Sequence, residues 1–402
     1  MWVIFDGWAA FFLWLIQWST ISNSRILYDF SNLYESGKWW LSGAYVNYRT
    51  HSISPYAFAY PPSSLPFFGF FAKFDFGVAA QLWTGMSLAI FLVALLSAAY
   101  TLKPARRYLF VSIAALLFFT SYALRAELQL GQINMLLVGL TILSLIAHRS
   151  SHTRVSATLL AAGTLLKGPP VLFLVYFVVF HRDFQYLIHF LESAVATVGV
   201  SLLFVPIQLY WTWIANVLPT LLVAGALPIN ESVTGAISLS GLGYLTPALF
   251  VTGICVFATF AYSVYPKSLT KRGSPASVAA DAMFLMNSLV ILLLGTRSWI
   301  QDYVWIIIPV TLFLSALLVQ GVRTHYFMIV GVATFLFNCS TYPLFMYYFN
   351  YYPTMAYYLP YAEMVPTGLM GGLLMAPALI LLFIWPQNIL RPRADQLTPG
   401  FG

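Results

Sequence analysis

Apolar stretches of about 20 residues recur along nearly the whole chain, and its few cations gather in the short segments between them. A helix needs roughly 20 apolar residues to cross a hydrocarbon layer about 30 Å thick, and backbone in lipid has to satisfy its own hydrogen bonds. The pattern therefore predicts an all-α polytopic membrane protein. Composition agrees: 60% of the 402 residues are hydrophobic and only 8% are charged, too few to cover a water-soluble surface. A net charge of +7 would suggest a nucleic-acid partner for a soluble chain. Here the cations flank apolar runs, as they do at cytoplasmic helix ends, so no nucleic acid is expected.

Reading basic clusters as inner ends gives a testable topology. A first span covers 2–20; it has no basic leader and no small-residue cleavage signal after it, so it reads as a retained helix. A long outer segment, 21–76, follows, and its short apolar stretch 63–72 suits an interfacial helix better than a crossing. Span 77–101 runs to Lys103, Arg106 and Arg107; 108–124 returns outward; 130–147 comes back to His148, Arg149 and Arg154. Between 154 and 182, Lys167-Gly168-Pro169-Pro170 predicts a hairpin of two short helices, because proline removes a donor and clashes with the preceding turn. Span 186–206, an outer loop 207–241, span 243–265, and the hairpins 277–295 with 303–320 and 326–347 with 366–386 complete the set. The total is about 12 spans in one membrane domain, 1–402, with a cytoplasmic tail, 387–402. Cys255 and Cys339 lie far apart in apolar stretches and read as packing residues, with no disulfide or metal-ligand spacing.

On this topology Asp29, Glu35, Asp75, Glu127, Glu231, Asp302 and Glu363 face outward. Any one of them can be an ordinary wet loop carboxylate. Asp29 has a distinctive setting, in Tyr28-Asp29-Phe30-Ser31-Asn32-Leu33-Tyr34, ahead of Gly43, Tyr45 and Tyr60-Pro61-Pro62. Further along stand Gly131-Gln132-Ile133-Asn134, the Lys167 break, Asn230-x-Ser232-x-x-Gly235 and Ser298-Trp299.

Taken together and in this order, these motifs resemble glycosyltransferase family 87, polyprenol-phosphate-mannose-dependent α-mannosyltransferases of the GT-C superfamily. Each motif is short and weak alone; their order and common predicted face carry the likeness. One departure is visible. Many relatives carry a histidine pair shortly after the Ser-Trp, where this chain has Gln301-Asp302.

The resemblance implies a GT-C-type bundle with a long first outer loop. It also implies a polyprenyl-phosphate sugar donor, a glycolipid or glycan acceptor and a surrounding lipid membrane; no cofactor or metal ligand is assigned. Transfer needs a base near the acceptor hydroxyl and cationic or donor groups at the phosphate leaving group. Asp29 is the expected base of an inverting reaction, which converts a β-linked lipid-phosphate mannose into an α-mannoside. Lys167 is the leading phosphate partner, with Arg125 and Arg297 as alternates; its competing reading is a cation that snorkels outward or pairs with Glu127. Tyr34, Tyr60, Gln132, Asn134, Asn230, Trp299, Gln301 and Asp302 are the expected substrate contacts. Gln132 and Asn134 can equally cap or join helices, and the Asn230-Glu231-Ser232 sequence reads best as a structural loop motif. The tyrosine-rich stretch 342–361 reads as an interfacial belt. The expected location is a bacterial or archaeal plasma membrane, multi-pass, with the active site outward.

Two other readings stay open on the residues: a polyprenyl-phosphate arabinofuranosyltransferase, with the same architecture, and a lipid or sugar transporter or flippase, which also uses broken helices. No inverted repeat is visible, and polar residues are weighted toward the outer loops, which favours the enzyme.

Overall fold

The structure is a computed structural model that describes residues 27–43, 58–223, 230, 232–264, 276–296, 298, 300–338, 367–384 and 390. The expected first span, Cys339, Glu231, Glu363, Arg297, Trp299, the 342–361 tyrosines and the tail 391–402 lie outside these residues. Among the described residues every named element is helical, and pairing of extended backbone is limited to an isolated bridge between Val322 and Leu390.

Three helical stretches are long and apolar enough to cross a membrane: Phe76–Tyr100, Val233–Ser263 and Asp302–Gln320. A fourth arises if Pro104–Thr120 and Ala123–Leu130, bent by 57°, count as one. The remaining apolar helices, such as Asn134–Arg149 and Thr153–Leu166, are shorter than a full crossing. Helices stand where most spans were expected, with less length per helix than the expected set of about 12 requires.

The site is framed by the first helices: α1 (Tyr28–Leu41), α2 (Leu65–Phe71), α3 (Phe76–Tyr100), α4 (Pro104–Thr120), α5 (Tyr122–Leu130), α6 (Asn134–Arg149), α7 (Thr153–Leu166) and α8 (Phe184–Ser201). Helix α2 is the short apolar stretch expected to lie at the interface, but Leu65, Phe68 and Phe71 are buried and the helix packs against α1. Gly37 makes this possible, since a Cβ there would lie 2.6 Å from the Phe68 carbonyl oxygen. Helix α3 packs on α6, α6 on α7, and α7 on α8, so α6 is almost wholly buried.

The expected span 108–124 breaks at Ser121, inside its own bounds. Ser121 makes the break a helix start, because its hydroxyl accepts the Leu124 N–H at 3.2 Å. At the expected hairpin, α7 ends at Leu166 and Lys167 is extended; Pro169–Phe173 forms a tight 3₁₀ turn and Val175–Phe180 a wide π turn. The expected outer loop 207–241 is folded, within the described residues, into short helices, among them Ile207–Thr212 and Val233–Ile237.

The last helices are α9 (Thr246–Ser263), α10 (Ala276–Leu294), α11 (Ile307–Gln320), α12 (Thr324–Asn338) and α13 (Thr367–Ile384). Cys255 on α9 is exposed, so it presents its thiol on the protein's apolar surface and does not pack in the core as expected. At the end of the bundle expected to be cytoplasmic, buried Asp281 on α10 accepts from Arg149 of α6 at 2.6 Å and from Arg106 of α4. Arg106 also donates to Ser315 and to the Leu312 carbonyl of α11, which ties four helices together.

Candidate active site

Helix α5 ends at Gly131, whose φ of 67° is left-handed and suits a residue without a Cβ. A Cβ there would also lie 2.7 Å from Leu27 and Phe30, so this glycine lets the start of α1 dock on the end of α5. The docking is made by the Leu27 N–H donating to the Gln129 carbonyl at 2.8 Å, while Trp83 of α3 donates to the Gly131 carbonyl at 2.9 Å and stacks on Phe30. Asp29, in the first turn of α1, is thereby brought against the next residue of the turn: Gln132 Nε2 donates to Asp29 Oδ2 at 2.5 Å.

Two residues on, Asn134 opens α6 and is fully buried. Its Nδ2 donates to Glu127 Oε2 at 3.0 Å and to Asp302 Oδ1 at 2.8 Å, and its Oδ1 accepts from Lys167 Nζ at 2.9 Å. Glu127 Oε1 accepts the Met135 N–H at 2.9 Å, and Lys167 Nζ stands 3.8 Å from Asp302 Oδ1. The helix break after α7 is held near the first outer segment by Ser63, whose hydroxyl donates to the Leu165 carbonyl at 3.0 Å. Four distant stretches of sequence, around 29, 127–134, 167 and 302, thus meet on one polar cluster.

Burial pushes the Asp29 carboxyl up to about 6, offset in part by the Gln132 hydrogen bond and by Lys167, with Asp302 adding to the rise. Burial, and after it the negative field of Asp29, Glu127 and Asp302, holds the Tyr60 phenol well above its ordinary range. Tyr60 sits among Phe58 and Phe68 as a neutral hydroxyl close to the acids. Among the described residues, no group of three His, Cys, Asp or Glu side chains gathers in a way that could hold a metal ion.

The cluster contains Asp29, Gln132, Asn134, Lys167 and Asp302, with Tyr60 in its field. Tyr34 is not in it, because its hydroxyl donates to the Phe74 carbonyl at 2.8 Å and its ring packs on Phe76. Arg125 stands two residues before Glu127 on the same helix, and its buried Nε makes no hydrogen bond to the cluster. Asn230 lies in a loop clamp: Nδ2 donates to the Thr296 carbonyl, and Oδ1 accepts from Ser232 Oγ and the Ser298 N–H, the structural role read for this motif. The Gln301 side chain lies outside the description. Glu35 is half-exposed and pairs with Lys38 at 3.5 Å on the surface of α1. Glu127, expected as a wet outward carboxylate or as a partner for Lys167, is instead buried and joined to Asn134. The signal in the sequence was an acidic residue one short turn ahead of Gly131-Gln132-Ile133-Asn134.

The sequence profile of glycosyltransferase family 87 matches residues 58–295. The chain belongs to that family. A polyprenol-phosphate-mannose-dependent alpha-(1-2)-phosphatidylinositol mannoside mannosyltransferase of Mycolicibacterium smegmatis is 26% identical over 338 residues, covering 78% of this chain and 75% of the relative. Together with the apolar helices, family membership makes this chain a membrane glycosyltransferase. The matched segment of this family 87 member holds Tyr60, Gln132, Asn134 and Lys167, while Asp29 and Asp302 reach the same cluster from outside it.

Proposed function

We propose that this family 87 glycosyltransferase moves a mannosyl residue from a polyprenyl-phosphate donor to a hydroxyl of a glycolipid or glycan at the outer face of a plasma membrane. The observation that carries the reading is the meeting of a carboxylate and a cation on one short turn: Asp29 through Gln132 and Lys167 through Asn134. Asp29 is the general base. With its carboxyl held near 6 it is ionised at neutral pH and a stronger proton acceptor than an ordinary aspartate.

As the acceptor oxygen bonds to the anomeric carbon, its proton passes to Asp29. The bond from the anomeric carbon to phosphate breaks on the opposite side, and its electron pair leaves on the lipid phosphate, whose charge Lys167 meets. Configuration at the anomeric carbon inverts. Tyr60, a neutral hydroxyl, contacts the sugar. The donor of the mycobacterial relative supports a polyprenyl-phosphate mannose. An apolar groove lined by Pro66, Phe67, Ala162, Leu165, Leu166 and Val200 supports an isoprenoid tail, since Leu166 directly precedes Lys167. The fold reading that goes with this is a single GT-C-type domain of about 12 crossings, with segment 21–76 forming its first outer loop.

The test is to incubate detergent-purified protein with labelled polyprenyl-phosphate mannose and membrane lipid extract and to analyse the glycolipids. A labelled α-mannosyl glycolipid is expected. Transfer from polyprenyl-phosphate arabinofuranose but not from the mannose donor would overturn the donor assignment.

A further inference from the structure

Asn134 has no hydrogen-bonding capacity left on its amide nitrogen. A side-chain amide carries two N–H donors, and both are spent on carboxylates, Glu127 Oε2 at 3.0 Å and Asp302 Oδ1 at 2.8 Å. Its oxygen faces Lys167 Nζ at 2.9 Å. A fully buried side chain engaged in this way holds protein groups and leaves no donor for a sugar hydroxyl. Glu127 lies behind it at 1% exposure, with one oxygen on the Met135 N–H and the other on Asn134. Glu127 and Asp302 both accept from Nδ2, and together they orient the amide with Oδ1 toward Lys167. The exposed end of the chain of contacts is the ammonium, beside Asp302 at 3.8 Å.

We propose that Glu127, acting through Asn134, is a positioning residue that fixes the Lys167 ammonium for an anionic phosphate, an inference that rests on the transferase reading above. Glu127 itself touches neither donor nor acceptor. Replacing it with glutamine keeps its size but turns one oxygen into an NH₂, which then faces either the Met135 N–H or the Asn134 NH₂. Donor would oppose donor. The clash pushes the Asn134 amide away from position 127 and displaces the oxygen that holds Lys167.

The experiment is a double-mutant cycle on detergent-purified protein, with Glu127→Gln, Lys167→Ala and the double variant, measuring transfer from polyprenyl-phosphate mannose and binding of polyprenyl phosphate by intrinsic fluorescence. Glu127→Gln is expected to raise the donor KM and weaken polyprenyl-phosphate binding roughly 10-fold, a coupling typical of one hydrogen-bonded network, while the acceptor KM stays put. In the Lys167→Ala background the same change should add less than about 2-fold. Equal effects in both backgrounds, or a shift in acceptor KM alone, would overturn the proposal. Asn134→Ala provides a second cycle with the same expectation. If Glu127→Gln and Asn134→Ala both fail to fold while Lys167→Ala folds, the pair serves stability alone and the proposal falls. A wild-type protein that neither binds polyprenyl phosphate nor transfers its sugar would sink the transferase reading and this inference with it, whereas an active wild type with additive cycles sinks only the inference.

Discussion

Gln132 donates its side-chain amide to Asp29 across 103 residues of sequence, at 2.5 Å. The bond favours the ionised carboxylate, against the burial that pushes Asp29 up to about 6. A base works in its deprotonated form, so kcat/KM should rise with pH through about 6 and level off above. Gln132→Leu removes the hydrogen bond and should move that acid limb to higher pH. The check is a pH profile of transfer for both proteins; an unmoved midpoint would show that Gln132 does not govern the base.

Asp29→Asn removes the proton acceptor while keeping shape, so turnover should fall by at least about 100-fold with donor binding retained. Its stability should move the other way. The folded-state pKa is raised from 3.8 to about 6, so the native protein binds this proton more tightly than the unfolded chain. The stabilisation from Asp29 is complete below about 4 and is lost as pH rises through about 6. At pH 7 the asparagine variant should therefore melt no lower than wild type by thermal denaturation in detergent. Retained turnover in a folded Asp29→Asn protein, with loss in Asp302→Asn, would transfer the base role to Asp302.

The helices and the motif residues were legible because they rest on local rules. Apolar length marks a buried helix, and Gly168-Pro169-Pro170 marks its end. The joints between them were not legible. An acid one turn ahead of Gly131 marks Glu127 as a candidate, but its pairing with Asn134 and the Met135 N–H depends on α5 folding back at Gly131 toward the start of α6. Tyr34 shows the opposite failure. The family resemblance suggested a substrate contact, but the docking of α1 against the Phe74–Phe76 turn consumed its hydroxyl. The expected outer loop 207–241 holds short helices instead, with Pro206 and Pro219 at helix starts, where proline is tolerated, and Gly241 at a kink.

Asp281 is 1% exposed and accepts from two arginines on different helices. Asp281→Ala leaves two cations beside an apolar gap, the situation in which breaking a buried ion pair costs about 3–5 kcal/mol. The variant should show a clearly lowered melting temperature, while the specific activity of its folded fraction at low temperature stays near wild type, since the network contains no residue of the Asp29–Lys167 cluster. Unchanged melting would mean that the arginines find equivalent partners.

Transfer to an acceptor at the outer face requires Asp29 to face outward. Helix α1 ends at exposed Ser42, and α6 is followed by exposed Ser150 just after His148 and Arg149, a cationic helix end of the kind retained in the cytoplasm. In a background with Cys255→Ser and Cys339→Ser, a Ser42→Cys protein in intact cells should react with a membrane-impermeant thiol reagent. Ser150→Cys should react only after permeabilisation. Ser42 follows the helix that carries Asp29, whereas Ser150 follows the far end of the helix that Asn134 opens, so opposite reactivity is expected if α6 crosses the membrane. The reverse pattern would put Asp29, Gln132 and Lys167 in the cytoplasm, and an outer-face acceptor would then be ruled out whatever the chemistry of the cluster.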